Sequence, residues 1–224
     1  MGQKLPPLAT RVGLYEPWRS RWFAKKKLFS KYLIEDQKIR KHIMENYRFA
    51  QVSRVDIERT HNQLTVIIYT ARPALLIGKR GQQIEKLQSE IQEMTEMEVQ
   101  APRIIEIEKP ELDARLVAEA IKEQLLRRAN HRRVMKRAAQ ATMDAGAKGI
   151  KIQIKGRIGG ADMSRKEILI RGRVPLATLR SNVDYALAEA YTKYGVIGIK
   201  VWIYKGEYPL KGKSDETGAK TDTT

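Results

Sequence analysis

Two segments of this 224-residue chain carry side chains whose types and spacing could do chemistry, and in both the chemistry is anion binding. The first is Gly78-Lys79-Arg80-Gly81. Two glycines let the backbone turn tightly and come close to a sugar–phosphate chain, while Lys79 and Arg80 supply charge. Ile84, Leu87, Ile91 and Met94 follow at steps of three and four, which predicts a helix whose first N–H groups would face a phosphate. A bare G-x-x-G is equally an ordinary corner between helices, so its context has to decide. The second segment runs from Arg127 to Arg137 and holds six cations in eleven residues, with no acid among them. On a helix, Arg128, Arg132 and Lys136 would stack at i, i+4, with Arg133 and Arg137 on the adjoining flank. Val134, Ala138 and Ala141 would then turn into the fold. Like charges at that spacing destabilise an isolated helix by about 0.2–0.5 kcal/mol per pair, so an unpaired row implies a phosphate partner. A solvated basic face is the alternative, but acids usually intersperse there.

A third basic feature precedes both. Trp18, Trp22 and Phe23 lie amid Arg19, Arg21 and Lys25 to Lys27, after a stretch broken by Pro6, Pro7, Gly13 and Pro17. Interleaved aromatic and basic residues can stack on bases while neutralising phosphates. The tryptophans can equally cap the core of the next domain, and the sequence leaves both readings open.

Lys and Arg number 43 against 26 Asp and Glu, a net charge of +17. Such a surplus attracts polyanions and repels itself in their absence. No stretch reaches 18 apolar residues, so no bilayer-spanning helix is expected. Pro6 breaks the myristoylation pattern, and the start lacks the apolar core of a signal peptide. Nucleic acid, not membrane, is therefore the expected partner. The absence of cysteine excludes disulfides, thiolate catalysis and cysteine-ligated zinc. His42, His61 and His131 show no metal-ligand spacing, so no metal or other cofactor is expected. No phosphate loop of the G-x-x-x-x-G-K-[ST] kind occurs, and Gly156 to Gly160 reads as a hairpin turn. Asp113 and Glu119 read as solvated charge, so no catalytic residue is assigned.

The elements that must position these residues can be read from hydrophobic periodicity. Leu28, Tyr32, Ile39, Ile43 and Tyr47 mark one face of a helix. Residues 52–59 and 64–70 read as a hairpin turning at His61 to Gln63, and Ile105 and Ile107 as a third strand. The order is helix, strand, strand, helix, helix, strand, with the G-x-x-G at the helix–helix step. That order resembles the type II KH fold, whose loop of this kind holds about four nucleotides. Lys109-Pro110-Glu111 marks a boundary before a helix from about Glu111 to Arg128. The basic helix then ends at Gly146. Ile150, Ile152 and Ile154 alternate in a strand, followed by strands through Ile168 to Val174 and Ile197 to Ile203. Tyr185 to Tyr194, rich in Ala, reads as a short helix. The fold class is thus α+β: an arm at 1–27, a type II KH domain at 28–108, and a second α+β domain with a small mixed sheet at 109–208. Residues 209–224 read as a disordered tail.

The residues also resemble a known family, the universal small-subunit ribosomal protein three in its bacterial form. The likeness rests on Met1-Gly-Gln-Lys4, Thr70-Ala-Arg-Pro73 before Ile77-Gly-Lys-Arg-Gly81, and Lys109-Pro-Glu-Leu-Asp-Ala-Arg115. It continues in Arg132-Arg-Val-Met-Lys-Arg137, Gly146-Ala-Lys-Gly-Ile-Lys151, Gly172-Arg-Val-Pro-Leu176 and Tyr194 to Trp202. Leu5-Pro6 and Ile168-Leu169-Ile170 depart from the family pattern. The resemblance implies a structural, non-enzymatic protein in the head of the small subunit of the cytoplasmic ribosome. It would lie on ribosomal RNA beside proteins ten and fourteen. It implies RNA contacts by the loop at Gly78 to Gly81 and by the arm through Gln3, Lys4, Arg11, Trp18, Arg21 and Trp22. Arg128, Arg132, Arg133, Lys136 and Arg137 would line the channel where mRNA enters, opposite proteins four and five, and help hold or unwind it. The rival readings are a free-standing KH regulator of single-stranded RNA and a nucleic-acid lyase. The first would show repeated KH modules or a long tail; the second, metal-ligating acids or a lysine in an apolar pocket.

Overall fold

The structure, a computed structural model, describes residues 5–208. It builds two hydrophobic cores, each a sheet covered by helices. In the first, strand β1 (Ser20–Arg21) precedes helix α1 (Lys26–Asn46), strands β2 (Val52–Arg59) and β3 (Gln63–Thr70), and helices α2 (Pro73–Ile77) and α3 (Gln82–Met94). Strands β4 (Glu98–Val99) and β5 (Arg103–Glu106) complete it. β2 and β3 are antiparallel, with Ile57 opposite Val66; β1 joins β2 in parallel, and β4 and β5 join β3 in parallel. The helical face expected from the sequence is buried only in its second half: Leu28 is exposed and Tyr32 half-buried, while Ile39 and Ile43 of α1 meet Leu87 and Ile91 of α3 over Ile57, Leu64 and Ile68. The predicted third strand lies at β5, and Ile107 adds its N–H to the Thr70 carbonyl at 2.9 Å.

A 3₁₀ turn at Pro110–Leu112 leads into the second unit. It contains helices α4 (Ala114–Leu126) and α5 (His131–Asp144) and strands β6 (Gly149–Gly156), β7 (Arg165–Gly172), β8 (Ser181–Thr192) and β9 (Gly195–Glu207). The strands run in the order β7-β6-β9-β8, and every ladder is antiparallel. This corrects the expected mixed sheet here; the mixed one is the first. β6–β7 and β8–β9 are antiparallel neighbours in sequence, and the segment between β7 and β8 carries the chain from one edge of the sheet to the other.

The second correction is the Ala-rich segment. Tyr185 to Thr192 lies inside β8, not in a helix. Ala186, Ala188 and Ala190 are buried, while Leu187, Glu189 and Tyr191 alternate with them outside. That period of two is the strand signal, and it overrides the helix propensity of Ala. Small side chains on the inner face let α4 lie close to the strand through Ala114 and Ala118.

The arm is also more ordered than expected. Ser20 and Arg21 pair with Ile57 and Glu58, which makes them an edge strand. They are fastened by Asp36 of α1, whose carboxylate is fully buried. One oxygen accepts from Ser20 Oγ and from Trp22 Nε1, both at 2.8 Å. The other accepts from Arg59 Nε and Nη2 at 3.1 and 2.7 Å. Arg59 Nη1 reaches Glu35 at 2.8 Å, and its guanidinium lies 4.5 Å over the Tyr32 ring. One carboxylate thus ties arm, helix and sheet together. Removing one member of a buried, hydrogen-bonded pair leaves its partner charged and uncompensated, at about 3–5 kcal/mol. Asp36→Ala is therefore expected to lower stability by about that amount in urea unfolding followed by tryptophan fluorescence. A change under 1 kcal/mol would mean that water replaces the carboxylate.

Candidate nucleic-acid interface

The loop between α2 and α3 is built around its two glycines. Gly78 closes α2, its N–H bonded to the Ala74 carbonyl at 3.0 Å, with φ at +73° and ψ at −174°. A Cβ there would lie 2.4 Å from Gln83 Cγ and 2.8 Å from Gln83 Cβ, so both conformation and space exclude a side chain. Gly81, at φ +81°, stands as the residue before α3 and supplies no side-chain cap. The Gln82 N–H at the start of α3 is already taken by the Lys79 carbonyl, and no side chain caps the N–H groups that follow it. Between the glycines, Arg80 holds a left-handed φ of +53°, an uncommon geometry for a residue with a side chain. Lys79 and Arg80 are exposed, and among the described residues neither pairs with an acid. Sequence reasoning missed Leu75 and Ile77 on α2 and Ile105 on β5, all exposed although apolar. α2, which ends at the loop, packs against β5. Ile105 was legible as the outward member of an Ile104-Ile105 pair on a two-faced strand.

The basic segment divides. α5 begins at His131, after Asn130, whose Oδ1 accepts the N–H groups of Arg132 and Arg133 at 3.0 and 3.5 Å. The buried face is Val134, Met135, Ala139 and Thr142, with Ala138 half-buried; Ala141, expected inside, is exposed. Arg132, Arg133, Lys136 and Arg137 project outward and, with Gln140 and Arg171, line an open trough of 830 Å³. Arg128 is not part of this row. It follows α4 in a loop, with φ at +58°, and lines a separate cavity. The continuous helix that would have stacked Arg128 under Arg132 is interrupted at residues 127–130. Arg171 of β7 was missed. Its signal was the strand period, since Leu169 packs on the core and Arg171, two residues on, shares its face. Two acids border the trough: Glu167, 3.5 Å from Arg132 and 3.7 Å from His131, and Asp144, which accepts from Gln140 Nε2 at 2.7 Å.

The arm residues fall into three groups. Arg11 is fully buried. Nε donates to the Ser181 carbonyl at 2.7 Å, Nη1 to Pro7 at 2.6 Å, and Nη2 to Thr178 at 2.8 Å and Leu176 at 3.3 Å. Its expected RNA contact is therefore overturned: the guanidinium is saturated by backbone carbonyls and fastens the arm to the start of β8. Trp22 takes the capping role that the sequence left open, half-buried against Phe29 and Tyr32 with its N–H on Asp36. Arg21 pairs with Glu58 at 2.7 Å on the surface, and Trp18 is 67 % exposed. Gln3 and Lys4 lie outside the described residues.

Asp113, read from the sequence as solvated, instead sits at the joint between the two cores. It caps α4 through the N–H groups of Arg115 and Leu116 and accepts from Ser53 Oγ of β2. Burial and the neighbouring Asp184 raise its pKa above the ordinary carboxylate range. Among the described residues no group of three or more His, Cys, Asp or Glu could hold a metal ion. No helix among them is long and apolar enough to cross a membrane.

Comparison with known proteins agrees with this arrangement. Residues 38–112 match the KH domain family, and residues 121–203 match the family described as ribosomal protein S3, C-terminal domain. The small ribosomal subunit protein uS3 of Caldicellulosiruptor saccharolyticus is 49% identical over 219 residues, which is 97% of this chain and 99% of that protein. The chain belongs to the uS3 family. The uS3 proteins of a Sulfurihydrogenibium species and of Pelagibacter ubique are 50% and 51% identical, each over 95% or more of both chains. As a uS3-family member the protein is a structural, RNA-binding component of the small ribosomal subunit, not an enzyme, and ribosomal RNA is its partner.

Within that family setting, Arg11 acts as a strap rather than an RNA ligand. Arg11→Ala would remove a charged donor from four carbonyls, of which Pro7 and Thr178 keep another, and hydrogen bonds to a charged group contribute about 1.5–3 kcal/mol each, not additively. The expected loss is at least about 3 kcal/mol in urea unfolding, with the salt dependence of RNA binding unchanged. A shallower salt dependence at full stability would return Arg11 to the RNA surface.

Proposed function

We propose that the α5 trough lines the channel through which mRNA enters the small subunit and holds the strand there in single-stranded form. The loop at Gly78 to Gly81 grips a short single-stranded stretch of RNA. In this reading the protein sits in the head of the subunit in cytoplasmic ribosomes, beside proteins ten and fourteen and across the channel from four and five. Residues 28–108 and 109–208 then act as two RNA-facing units, with Trp18 and Arg21 as arm contacts.

The observation that carries the proposal is the trough itself. Arg132, Arg133, Lys136, Arg137 and Arg171 stand around one open surface whose lining contains no acid. Such a surface is self-repelling when empty and is relieved by a phosphate chain. The trough is open and shallow, which suits a strand that must slide. The Gly78 to Gly81 loop, with its fixed backbone and the exposed Lys79 and Arg80, suits a strand that must stay. Opening each duplex step of a folded messenger costs roughly 1.4 kcal/mol on a DNA-like scale. Several cations that favour the freed strand offset part of that cost.

Two outcomes follow. Lys79→Asp with Arg80→Asp is expected to weaken binding of the protein to single-stranded RNA by about tenfold or more at moderate salt, with an unchanged circular dichroism spectrum. Equal affinity in fluorescence anisotropy would reduce the loop to a corner between helices. Arg132→Ala, Arg133→Ala and Lys136→Ala together are expected to permit assembly yet slow translation through a stable messenger hairpin, while an unstructured template is read at nearly normal rate. Equal slowing on both templates, or failed assembly, would mean that α5 anchors ribosomal RNA instead.

A further inference from the structure

Beside the trough lies a second cavity, of 620 Å³, between the α4–α5 loop, the turn after β6 and the β8–β9 hairpin. Its volume falls in the range of small-ligand sites. Leu125, Ile154 and Ile197, all buried core residues, form an apolar floor. The mouth carries Arg128, Arg157 and Lys193 together with two tyrosine rings, Tyr191 and Tyr194, which are 69% and 54% exposed. No acid lines the cavity.

We infer that this cavity is a base-stacking subsite that takes one unstacked nucleotide of single-stranded RNA, its base against Tyr194 and its phosphates on Arg128 and Lys193. The inference deepens the reading of the α5 trough and rests on it, because Asn130 borders both cavities and one strand could serve both. Tyr194 is held for such a role. The Arg157 guanidinium lies 5.6 Å from its ring centroid and donates to its carbonyl at 3.4 Å. Gly160 approaches so closely that a Cβ there would stand 3.0 Å from the ring. Arg157 is itself fixed by the Ala161 carbonyl and by Asp162, both at 2.9 Å. An exposed aromatic ring of set orientation, over an apolar floor and beneath cations, matches what a nucleobase with its phosphates presents: an apolar face and a charged edge. A protein side chain would need no group of three cations of which only Arg157 has an acid partner, and a free phosphate no apolar floor.

The test uses the full-length protein and a single-stranded oligonucleotide carrying one 2-aminopurine. Tyr194 is an exposed turn residue, so Tyr194→Ala is expected to keep the fold, as circular dichroism checks. It should weaken binding by about tenfold and abolish the quenching of 2-aminopurine. The slope of log affinity against log salt should stay as in the parent, and Tyr194→Phe should restore both properties. The triple substitution at Arg132, Arg133 and Lys136 should instead flatten that slope by about 2, at roughly 0.7 per phosphate contact. Parental affinity and quenching in Tyr194→Ala, a changed slope in that variant, or failure of Tyr194→Phe to restore binding would overturn the subsite. An unchanged slope in the triple variant, with the tyrosine effect intact, would remove the trough reading and leave the subsite standing. In assembled subunits, 4-thiouridine placed in messenger or in ribosomal RNA names the source of the base by its photocrosslink to Tyr194. A crosslink from neither RNA would overturn the site.

Discussion

A net charge of +17 in a chain of this size is a folding problem before it is a binding property. Each cation must be neutralised inside the protein or held where an outside anion can reach it. The structure sorts its arginines by that rule. Arg59 is buried on Glu35 and Asp36, Arg11 on four backbone carbonyls, and Arg54 pairs with the buried Asp56. These guanidiniums are structural, and their planar forks suit several acceptors at once. Lys79, Arg80, Arg133, Lys136 and Arg137 have no acid partner among the described residues and stand on exposed surface. Cationic charge therefore does not by itself mark an RNA contact in this protein. The distinction is whether the charged group is buried with its acceptors or stands exposed.

Backbone geometry reinforces the sorting. Among the described residues, left-handed φ values at non-glycine positions occur at Lys26, Gln51, Arg80 and Arg128. The last two are cations, one in the Gly78 to Gly81 loop and one at the cavity beside the trough. A strained residue persists where its surroundings over-determine it. At Arg80 those surroundings are Gly78 and Gly81, whose own positive φ values fold the loop back on α3. At Arg128 they are the C-terminus of α4 and the capped start of α5, four residues apart in a forced reversal. Fixing the side chain's origin before RNA arrives lowers the ordering cost of binding.

The sequence made the first core legible because its signals were local and redundant. The steps through Ile39 and Ile43, the alternation through Ile57, and the G-x-x-G at a helix–helix junction all agreed with one another and with the structure. The second core was less legible at Tyr185 to Thr192, where Ala suggested a helix and only the outward Leu187, Glu189 and Tyr191 disclosed a strand. Ala on the inner face makes sense only once α4 is known to lie against it. That is tertiary information. The same limit explains Arg11 and Asp113: apart from local partners such as Pro7 and Leu116, Arg11 finds its acceptors 165 or more residues away, and Asp113 meets Ser53 and Asp184 60 and 71 residues away. No window along the chain contains those partners. The break at 127–130 was concealed in another way, since a run of cations reads as one helix unless the Asn130 cap is given weight over the charge pattern.

What remains is why the arm crosses from one core to the other. β1 is fastened to the first core through Asp36, while Arg11 is fastened to the start of β8 in the second. Tyr15 stacks on Tyr208 with centroids 4.7 Å apart, and the Tyr208 hydroxyl bonds to Glu16. Burial and that hydrogen bond raise the Tyr208 pKa, so the phenol stays neutral and able to donate. On the opposite side, Ser53 of β2 meets Asp113 at the head of α4. The two cores are thus held by contacts from two directions, with no long linker between them. The Gly78 to Gly81 loop belongs to one core and the α5 trough to the other. A rigid joint fixes the distance between a site suited to a stationary strand and one suited to a moving strand. A flexible tether would lose that geometry, so the contacts of Arg11, Asp36 and Asp113 set how the two basic surfaces stand to one another.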